Sequence, residues 1–368
     1  MTGLSAANCG WASVQGACDR LGRGAASGAG GHPALSVVIP NYNHAHYLPM
    51  ALESILRQAV SPMEVLIYDD ASTDESVAVA REFCQRSAHV RLFCAAENRG
   101  PVHWMNRALE EASGECVFFM AADDVVLPDF LSRSLDLLAR YPDSGLCSTL
   151  SRIIDEAGAD QGLYPSPLVC RREAYLDPAI SLRNLRYRGP WFMGNTTIYR
   201  RRFLVSAGGL DPSLRSFCDG FVAQVLALRH GACFIPEPLA SWRRTRKGYA
   251  DADNMAWQQR FEIRERAEEL MRTTFRDTFP PDYVRHWERQ SRFSAGVAGW
   301  RAIRRKQEEM VVELLGRLGP SNPAAEACLL FPLRVLTAVQ AVWVRLYLFL
   351  RFRGVLGWLQ QKLARLHE

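Results

Sequence analysis

Residues 64–94 decide the fold class, and they read EVLIYDDASTDESVAVAREFCQRSAHVRLFC. The apolar run at 64–69 predicts a buried strand, and 90–94 predict a second one. Between them, residues 73–86 carry apolar side chains at helical spacing, with acids near the start that favour the positive end of a helix dipole. A strand, a helix and a strand in this order predict a βαβ unit of a parallel sheet.

The same alternation of apolar runs and helix-period segments extends from Leu35 to about Leu150. It predicts an α/β fold with a Rossmann-type, mainly parallel sheet flanked by helices. Residues 191–214 predict a strand, a short helix and a Gly-Gly turn, whereas 151–190 contain breakers such as YPSP and predict no element. The remaining strands are expected at 35–40, 115–120, 144–149 and 232–236, and the remaining helices at 47–58, 101–112, 128–140 and 219–230.

The composition is that of a folded globular protein, because 48% of the 368 residues are hydrophobic and only 23% are charged. A net charge of +5 is too small to indicate a nucleic-acid partner. The ten cysteines form no CxxC pair and several lie in strand-like runs, so we expect reduced core thiols and no zinc site. Such thiols are typical of a cytoplasmic protein.

Shifts in composition divide the chain into four segments. Residues 1–34 are rich in glycine and alanine and lack the apolar core of a signal peptide, so we expect a flexible leader. Residues 35–250 hold the α/β domain, 251–320 predict a C-terminal extension of amphipathic helices, and 321–368 predict a basic, apolar helix.

The last of these segments suggests a membrane surface as a partner. Arg334 and Arg345 bound a charge-free run that is too short to cross a bilayer, and both fall on one face of a helix. Aromatic and further basic residues follow, which is typical of a helix lying in a membrane interface. Such a helix would hold the protein on the cytoplasmic face of the membrane. The alternative is that it packs on the α/β domain or on a partner subunit.

Polar residues accumulate where ligands of an open parallel sheet bind, outside the carboxyl ends of its strands. The first strand is followed by PNYNHAHYL at 40–48, the second by DDASTDES at 69–76, and the fourth by AADDVVLPD at 121–129. We therefore expect the functional site at this edge of the sheet.

Four segments resemble a known family in their order and spacing. They are LSVVIPNYNHAHYLPMALESILRQ, EVLIYDDASTDES, NRGPVHWMNRALEEASGECVFFMAADDVVLPDF and FIPEPLASWR. Over about residues 35–245 the chain resembles the inverting family-2 glycosyltransferases with the GT-A fold. The resemblance implies a nucleotide-sugar donor, most commonly a UDP-sugar, transfer to an acceptor hydroxyl with inversion, and usually Mg²⁺ or Mn²⁺. It also implies a glycan or lipid-linked acceptor in polysaccharide, glycan or glycolipid synthesis at the cell envelope.

By this resemblance Asp124 is the direct metal ligand, and Asp123 contacts the ribose or the metal. The chemistry agrees, because carboxylates just past a buried strand are costly unless a cation pairs with them. The family often shows D-x-D-D, but Ala121 replaces the first acid here, so we expect reduced metal affinity or altered ribose contacts. The alternative is that the two acids cap the following helix.

The resemblance also places the nucleobase beside Asp70, whose carboxylate would accept a ring N–H of uracil or guanine. Asp69 is expected to support the turn. Arg99 is expected near the pyrophosphate, although a lone arginine is often merely solvated. Asn106 is either a donor-site contact or structural. Backbone or ring contacts to the base are implied for Pro40, Asn41 and Tyr42.

An inverting transfer needs a base opposite the leaving group that takes the proton of the acceptor hydroxyl. The family places this acid before a helix that is followed by the strand FIPEPL, and Asp219 is the only acid in residues 213–230. The resemblance therefore makes Asp219 the catalytic base, with helix capping as a compatible alternative. Gly194 and Asn195 match positions that line the acceptor pocket.

Two groups of cationic or titratable residues have weaker signals. Arg243 and Arg246 lie in a basic loop that would close over the donor and neutralise the pyrophosphate, or would simply be solvated. The histidines at 44, 46 and 103 have no metal-ligand spacing, so surface or packing roles are expected.

Two other functions are compatible with parts of the sequence. A nucleotidyltransferase would use a similar sheet to attack a phosphate, but it usually carries a Gly-rich loop where this chain has PNYNHAHY. An inactive sugar-nucleotide-binding or scaffold protein is compatible with Ala121, whereas Asp219 argues against it.

Overall fold

The computed structural model describes residues 31–245 and 257–291, which belong to two separate compact units. The first unit is an α/β domain with a ten-stranded sheet. Its strands are β1 (Leu35–Asn41), β2 (Glu64–Asp69), β3 (Val90–Cys94), β4 (Cys116–Phe119), β5 (Val125–Val126), β6 (Leu146–Ile154), β7 (Asp160–Leu163), β8 (Ala174–Leu176), β9 (Thr197–Arg200) and β10 (Ala232–Arg243). Its α-helices are α1 (Leu48–Leu56), α2 (Ser76–Arg86), α3 (Pro101–Glu111), α4 (Phe130–Arg140), α5 (Pro178–Tyr187), α6 (Arg201–Ser206) and α7 (Cys218–His230).

The sheet has the order β3-β2-β1-β4-β9-β6-β10-β5, with β7 paired to β6 and β8 paired to β10. Strands β1 to β4 are connected by parallel pairings, and β6 is parallel to β10. Strand β9 runs antiparallel between β4 and β6. The predicted α/β class, with a mainly parallel sheet flanked by helices, is therefore confirmed.

The central strands are buried on both faces, which is why the sequence shows them as continuous apolar runs. All six residues of β2 are buried. On one face, Leu48 and Leu52 of α1 are fully buried in the same core cluster as Val37 of β1. In that cluster Phe118 of β4 lies against Phe130 of α4, with the ring centroids 5.0 Å apart. This packing fixes the carboxyl ends of β1, β2 and β4, where the site is built.

Three elements lie in residues 151–190, where the sequence predicted none. Strand β7 pairs with β6, β8 pairs with β10, and α5 follows. The start of α5 has the usual sequence features of a helix N-terminus. The carboxylate of Asp177 accepts the backbone N–H of Ile180 at 2.8 Å, and Pro178 occupies the first turn. The expectation of irregular structure was therefore wrong for these residues.

Strand β10 extends to Arg243, although the sequence predicted its end at 236 and a loop from 241. Its register against β6 shifts between Ile235 and Pro238 and again between Pro238 and Ala240. Prolines are tolerated at such bulges because no ladder N–H is needed there. The two prolines are therefore the reason why the sequence did not predict one continuous strand over Ala232–Arg243.

The loops after β1 and β2 are joined by side chains. The backbone N–H of Thr73 donates to Asn43 Oδ1 at 2.7 Å, and the backbone N–H of Ala45 donates to Asp74 Oδ2 at 2.9 Å. Because Thr73 and Asp74 make these contacts with the loop after β1, α2 begins at Ser76, later than the predicted start at 73.

At the opposite edge of the sheet, the side chain of Glu64 bonds residues near the starts of β1, β3 and β4. Its Oε1 accepts the hydroxyl of Ser36 at 2.6 Å and the backbone N–H of Ser113 at 2.7 Å, and its Oε2 forms an ion pair with Arg91. Burial opposes the ionisation of Glu64, but the hydrogen bonds from Ser113, Ser36 and Arg91 outweigh it and lower its pKa. The ionised carboxylate therefore stabilises the fold.

Replacing Glu64 with glutamine should lower the free energy of unfolding by about 1–3 kcal/mol at neutral pH, because a buried charged acceptor is lost. A lowered pKa contributes stability above the unfolded value of 4.5, and this contribution is lost as the pH falls through the folded value. Urea denaturation should therefore show a difference that shrinks as the pH falls below about 4.5. The exposed Glu82→Gln is the control, and an equal effect of both variants would contradict the assignment.

The described part of the second unit consists of two helical segments joined by turns. Helix α8 spans Trp257–Arg272, and residues 281–291 are also helical. Arg272 pairs with Glu268 at 2.9 Å and with Glu288 at 3.2 Å, which connects the two helices. Within 31–245 and 257–291, no helix combines the length and the apolar character that a membrane span requires. The segment 321–368, for which a basic, apolar helix was predicted, and most of the predicted leader at 1–34 lie outside the described residues.

Candidate active site

Acidic and amide side chains meet at the carboxyl edge of the sheet. Strands β1, β2 and β4 are parallel, so all three end at this edge. Strand β9 is antiparallel to β4, with Phe118 paired to Ile198, so it starts where β4 ends. The 3-10 turn Gly194–Thr196, which leads into β9, therefore lies at the same edge as the acids that follow β4.

Asp123 and Asp124 follow β4 and differ in exposure. Asp124 is only 3% exposed, and its Oδ1 accepts the backbone N–H of Arg243 at 2.8 Å. Burial raises the pKa of Asp124 well above its ordinary value, and the neighbouring charge of Asp123 raises it further. Asp123 is partly exposed, and burial raises its pKa although His44 and Arg243 act in the opposite direction. Both carboxylates would be relieved by a cation.

These two acids fit a divalent cation that is shared with a phosphate ligand. No group of three or more His, Cys, Asp or Glu side chains suited to a metal occurs among residues 31–245 and 257–291. Mg²⁺ is commonly held by one or two carboxylates, with waters and substrate phosphates as the other ligands. Ala121 is exposed at the end of β4 and supplies no further oxygen from its side chain.

The helix-capping alternative for these acids does not agree with the structure. Helix α4 begins at Phe130, and its N-cap residue is Asp129. Asp124 instead bonds the main chain of β10. The two acids are thus available for a ligand rather than used to start a helix.

Asp70 is buried and accepts three N–H groups from one neighbouring segment. Its Oδ1 accepts the backbone N–H of Arg99 and the indole N–H of Trp104, both at 2.7 Å. Its Oδ2 accepts the backbone N–H of Gly100 at 2.8 Å. Trp104 was not singled out from the sequence, because an indole N–H on an amphipathic helix carries no signal of its partner.

Asn41 and Asp69 build the turn beside Asp70. Asn41 Nδ2 donates to Asp69 Oδ2 at 2.8 Å, and Asp69 Oδ1 accepts the backbone N–H of Ser72 at 2.9 Å. Asp69 therefore supports the turn, as expected. Asn41 Oδ1 is buried and has no hydrogen-bond partner within the described part of the chain. Pro40 is partly buried beside it, whereas the ring of Tyr42 is 44% exposed and is free to stack on a flat ligand.

Arg99 and Asn106 are both engaged with protein groups. The guanidinium of Arg99 pairs with Glu97 at 2.7 Å and is half exposed. Asn106 donates to the carbonyl of Leu210 at 2.7 Å and accepts its N–H at 2.9 Å, so it holds the turn before the 3-10 segment Pro212–Phe217. Of the two roles considered for Asn106, these contacts favour the structural one.

Arg243 occupies a different place from the predicted basic loop. It is the last residue of β10 and only 2% exposed, and its guanidinium donates to the carbonyls of Asp123 and Asp155 at 2.8 and 2.9 Å. It also lies over the ring of Tyr47, 4.7 Å from the centroid. Its guanidinium thus ties loops together around the acids instead of projecting from a loop. Arg246 lies outside the described residues.

Asp219 lies in the first turn of α7, against Gly194. A Cβ placed on Gly194 would come within 2.2 Å of Asp219 Oδ2, so only glycine leaves room for this carboxylate. Asp219 Oδ1 accepts the backbone N–H of Gly220 at 2.6 Å, and the N-cap residue is Phe217, so Asp219 is not the cap. Burial raises the pKa of Asp219. A carboxyl group with a raised pKa is a stronger base when it is ionised.

Asn195 follows Gly194 in sequence, and its side chain bonds Ser151 of β6. Its Nδ2 donates to Ser151 Oγ at 3.2 Å, whereas its Oδ1 is buried without a partner in the described ranges. The structure therefore brings Gly194, Asn195 and Asp219 together at the edge that also carries Asp123 and Asp124. His44, for which a surface or packing role was expected, is partly buried near Tyr47, and its charge would lower the pKa of Asp123.

Residues 36–206 match the sequence model of Glycosyl transferase family 2. The matched segment is less than half of the chain and is similar to members of this family. An uncharacterized glycosyltransferase of Haemophilus influenzae is 32% identical over 106 residues, which are 29% of this chain and 42% of that protein. Another, from Nostoc sp., is 30% identical over 214 residues, which are 57% of this chain and 64% of that protein. The chain thus spans less than two thirds of either relative.

Two solved structures share the fold of this chain. The mannosyltransferase PcManGT from Pyrobaculum calidifontis, in complex with GDP-Man and Mn²⁺, has a TM-score of 0.54 and 21% identity over 90% of both chains. Residues 1–349 of S. aureus TarS, in complex with UDP-GlcNAc, have a TM-score of 0.51 and 17% identity over 72% of this chain and 81% of that one. The predicted GT-A fold is confirmed.

Proposed function

We propose that this chain is a family 2 glycosyltransferase that moves a sugar from a nucleotide diphosphate to an acceptor hydroxyl with inversion. The observation that carries the proposal is that an acid pair and a separate carboxylate from another element lie at one edge of the sheet. The pair, Asp123 and Asp124, follows β4, whereas Asp219 comes from α7 and lies against the turn before β9. An acid pair and an isolated base are the two functions that such a transfer needs.

The donor half of the proposed site holds the nucleotide. Asp123 and Asp124 would hold Mg²⁺ or Mn²⁺, which when bound would offset the charge of the leaving diphosphate. Asp70 would accept a ring N–H of the base, and the exposed ring of Tyr42 would stack on it. The PcManGT complex with GDP-Man and Mn²⁺ supports a nucleotide sugar and a divalent cation as ligands of this fold.

The acceptor half supplies the base. The oxygen of the acceptor hydroxyl would attack the anomeric carbon from the side opposite the diphosphate, and the bond between that carbon and the diphosphate oxygen would break. The hydroxyl proton would pass to Oδ2 of Asp219, and the electron pair of the broken bond would leave with the diphosphate. Attack opposite the leaving group inverts the anomeric centre.

The test is release of nucleotide diphosphate from a panel of nucleotide sugars with Mn²⁺. Release from one donor, stimulated by Mn²⁺ and by an added glycan or lipid-linked acceptor, is expected. No release from any donor, together with Mn²⁺-dependent nucleotide binding, would support the second candidate, an inactive sugar-nucleotide-binding or scaffold protein. Ala121 favours that candidate, since it supplies no acid where the family often has one.

Ionisation of Asp219 should set the acid limb of the pH profile. The base acts only when it is ionised, and burial raises its pKa, so kcat should fall as the pH drops through a value above 3.8. Measuring kcat at saturating donor and Mn²⁺ isolates this group, because carboxylates paired with a cation stay ionised. The residual kcat of Asp219→Asn should lack this limb, and the same limb in the variant would contradict the assignment.

We further propose that the enzyme acts in polysaccharide, glycan or glycolipid synthesis, on the cytoplasmic face of a membrane. The support is the basic and aromatic sequence of 321–368, since that pattern suits a membrane interface. Deleting 329–368 should move the protein from the membrane fraction to the soluble fraction. An unaltered distribution would contradict membrane binding by this segment.

A further inference from the structure

The carboxylate of Asp70 has little hydrogen-bonding capacity left. A carboxylate oxygen offers about two lone-pair positions. The two positions of Oδ1 are taken by the backbone N–H of Arg99 and the indole N–H of Trp104, each at 2.7 Å. Oδ2 accepts the backbone N–H of Gly100 at 2.8 Å. Counting the contacts within 31–245 and 257–291, one position therefore remains, on Oδ2.

The three donors are held firmly in place. Gly100 has φ 84° and ψ 156°, a conformation that is essentially restricted to glycine, and the next residue, Pro101, starts α3. The ring of Trp104 stacks on Tyr68 at 5.6 Å between centroids and meets the edge of His103 at 4.7 Å. A ligand cannot displace the indole N–H without disturbing this packing.

Nucleobases differ in how many N–H groups they would present to Asp70. Uracil and thymine offer one ring N–H, whereas guanine offers a ring N–H and an amino N–H side by side. A carboxylate binds the guanine pair well only when both of its oxygens can accept. With Oδ1 filled by Trp104, the second guanine donor would be desolvated and left unpaired, which is costly.

We propose that the indole N–H of Trp104 makes this site selective for a uracil-type nucleotide over a guanine nucleotide. Trp104 is then a specificity-determining residue that acts through Asp70. The inference rests on the proposed function, because it takes Asp70 as the base-binding group. This inference goes beyond a general preference for UDP-sugars, because it assigns the preference to the indole N–H of Trp104.

The first test uses the full chain and isothermal titration with UDP, GDP and N3-methyl-UDP, each with Mn²⁺. UDP should bind at least about tenfold more tightly than GDP, and methylation of the single ring N–H should weaken binding by about tenfold or more. Equal or tighter binding of GDP, or unchanged binding of the methylated nucleotide, would overturn the inference alone. Absence of Mn²⁺-dependent binding for every nucleotide would overturn the proposed function as well.

The second test compares Trp104→Phe with a matched control. Phenylalanine keeps a ring on Tyr68 but frees one position on Oδ1, so the preference for UDP over GDP should fall by about tenfold. The control, Tyr68→Phe, keeps the stack and removes only the hydroxyl that donates to Glu111 at 2.6 Å, so its preference should stay at the wild-type value. An unchanged ratio in Trp104→Phe would overturn the inference. If that variant does not fold, the three nucleotides on the wild-type chain still decide it.

Discussion

Replacing Asp219 with asparagine is expected to lower turnover by about 10²–10⁴, the usual effect of losing a general base. Asparagine has the same shape, so it still fits against Gly194 and its Oδ1 still accepts the N–H of Gly220. Only the ability to take a proton is lost. Nucleotide binding should remain nearly unchanged, because the acids after β2 and β4 are untouched. Turnover and titration with UDP and Mn²⁺ measure the two effects separately.

The control for this experiment is Asp177→Asn. Asp177 caps α5, and asparagine caps a helix equally well, so the variant loses one carboxylate charge without losing the cap. Its turnover should equal that of the wild type. Wild-type turnover in Asp219→Asn would show that another group takes the proton. Loss of nucleotide binding in Asp219→Asn would show that this carboxylate belongs to the donor half.

Replacing Asp124 with asparagine is expected to weaken Mn²⁺-dependent nucleotide binding by at least about 100-fold, since even groups that only support a metal ligand commonly cost 10–100-fold. The amide oxygen can still accept the backbone N–H of Arg243, so the end of β10 stays in place. The expected loss therefore reports the missing charge and not a disrupted strand. Titration of UDP with and without Mn²⁺ measures it, because only the metal-dependent part should disappear.

Asp129→Asn is the matched control for that variant. Asp129 lies five residues further along the same loop and has φ 67°, a left-handed conformation that asparagine adopts readily. Its Mn²⁺-dependent binding should equal that of the wild type. If Asp124→Asn retains the full effect of Mn²⁺, the acid pair is not the metal site.

Several central strands of the sheet could be predicted because they are buried on both faces, as β2 is, whereas β3 is only partly buried. The runs at 64–69 and 90–94 have the observed bounds of β2 and β3. Short or interrupted strands gave no such signal: β8 has three residues, and β10 contains two prolines at its bulges. Local sequence patterns describe strands that are long and regular, and they fail where pairing with a distant strand imposes the structure.

The acids of the site could be located from sequence because they follow strands directly. Their partners could not be located in this way. Trp104 and Asp70 are 34 residues apart, and Arg243 and Asp124 are 119 apart, so both contacts depend on the folded chain. Composition also does not distinguish a buried arginine from a solvated one. This is why Arg243 was expected in a loop facing the diphosphate.

The placement of Arg243 affects how its mutants should be interpreted. Its main chain holds Asp124, and its guanidinium holds the carbonyl of Asp123 from behind. Truncation of this side chain would keep the main-chain bond to Asp124 but would release the carbonyl of Asp123, so it would reduce donor affinity even without the loss of a direct contact to a phosphate. A truncation variant on its own would therefore suggest that Arg243 binds the leaving diphosphate. Measuring how salt changes the affinity of the wild type and of the variant for the free nucleotide diphosphate, or comparing truncation with charge reversal, would show that the effect is indirect.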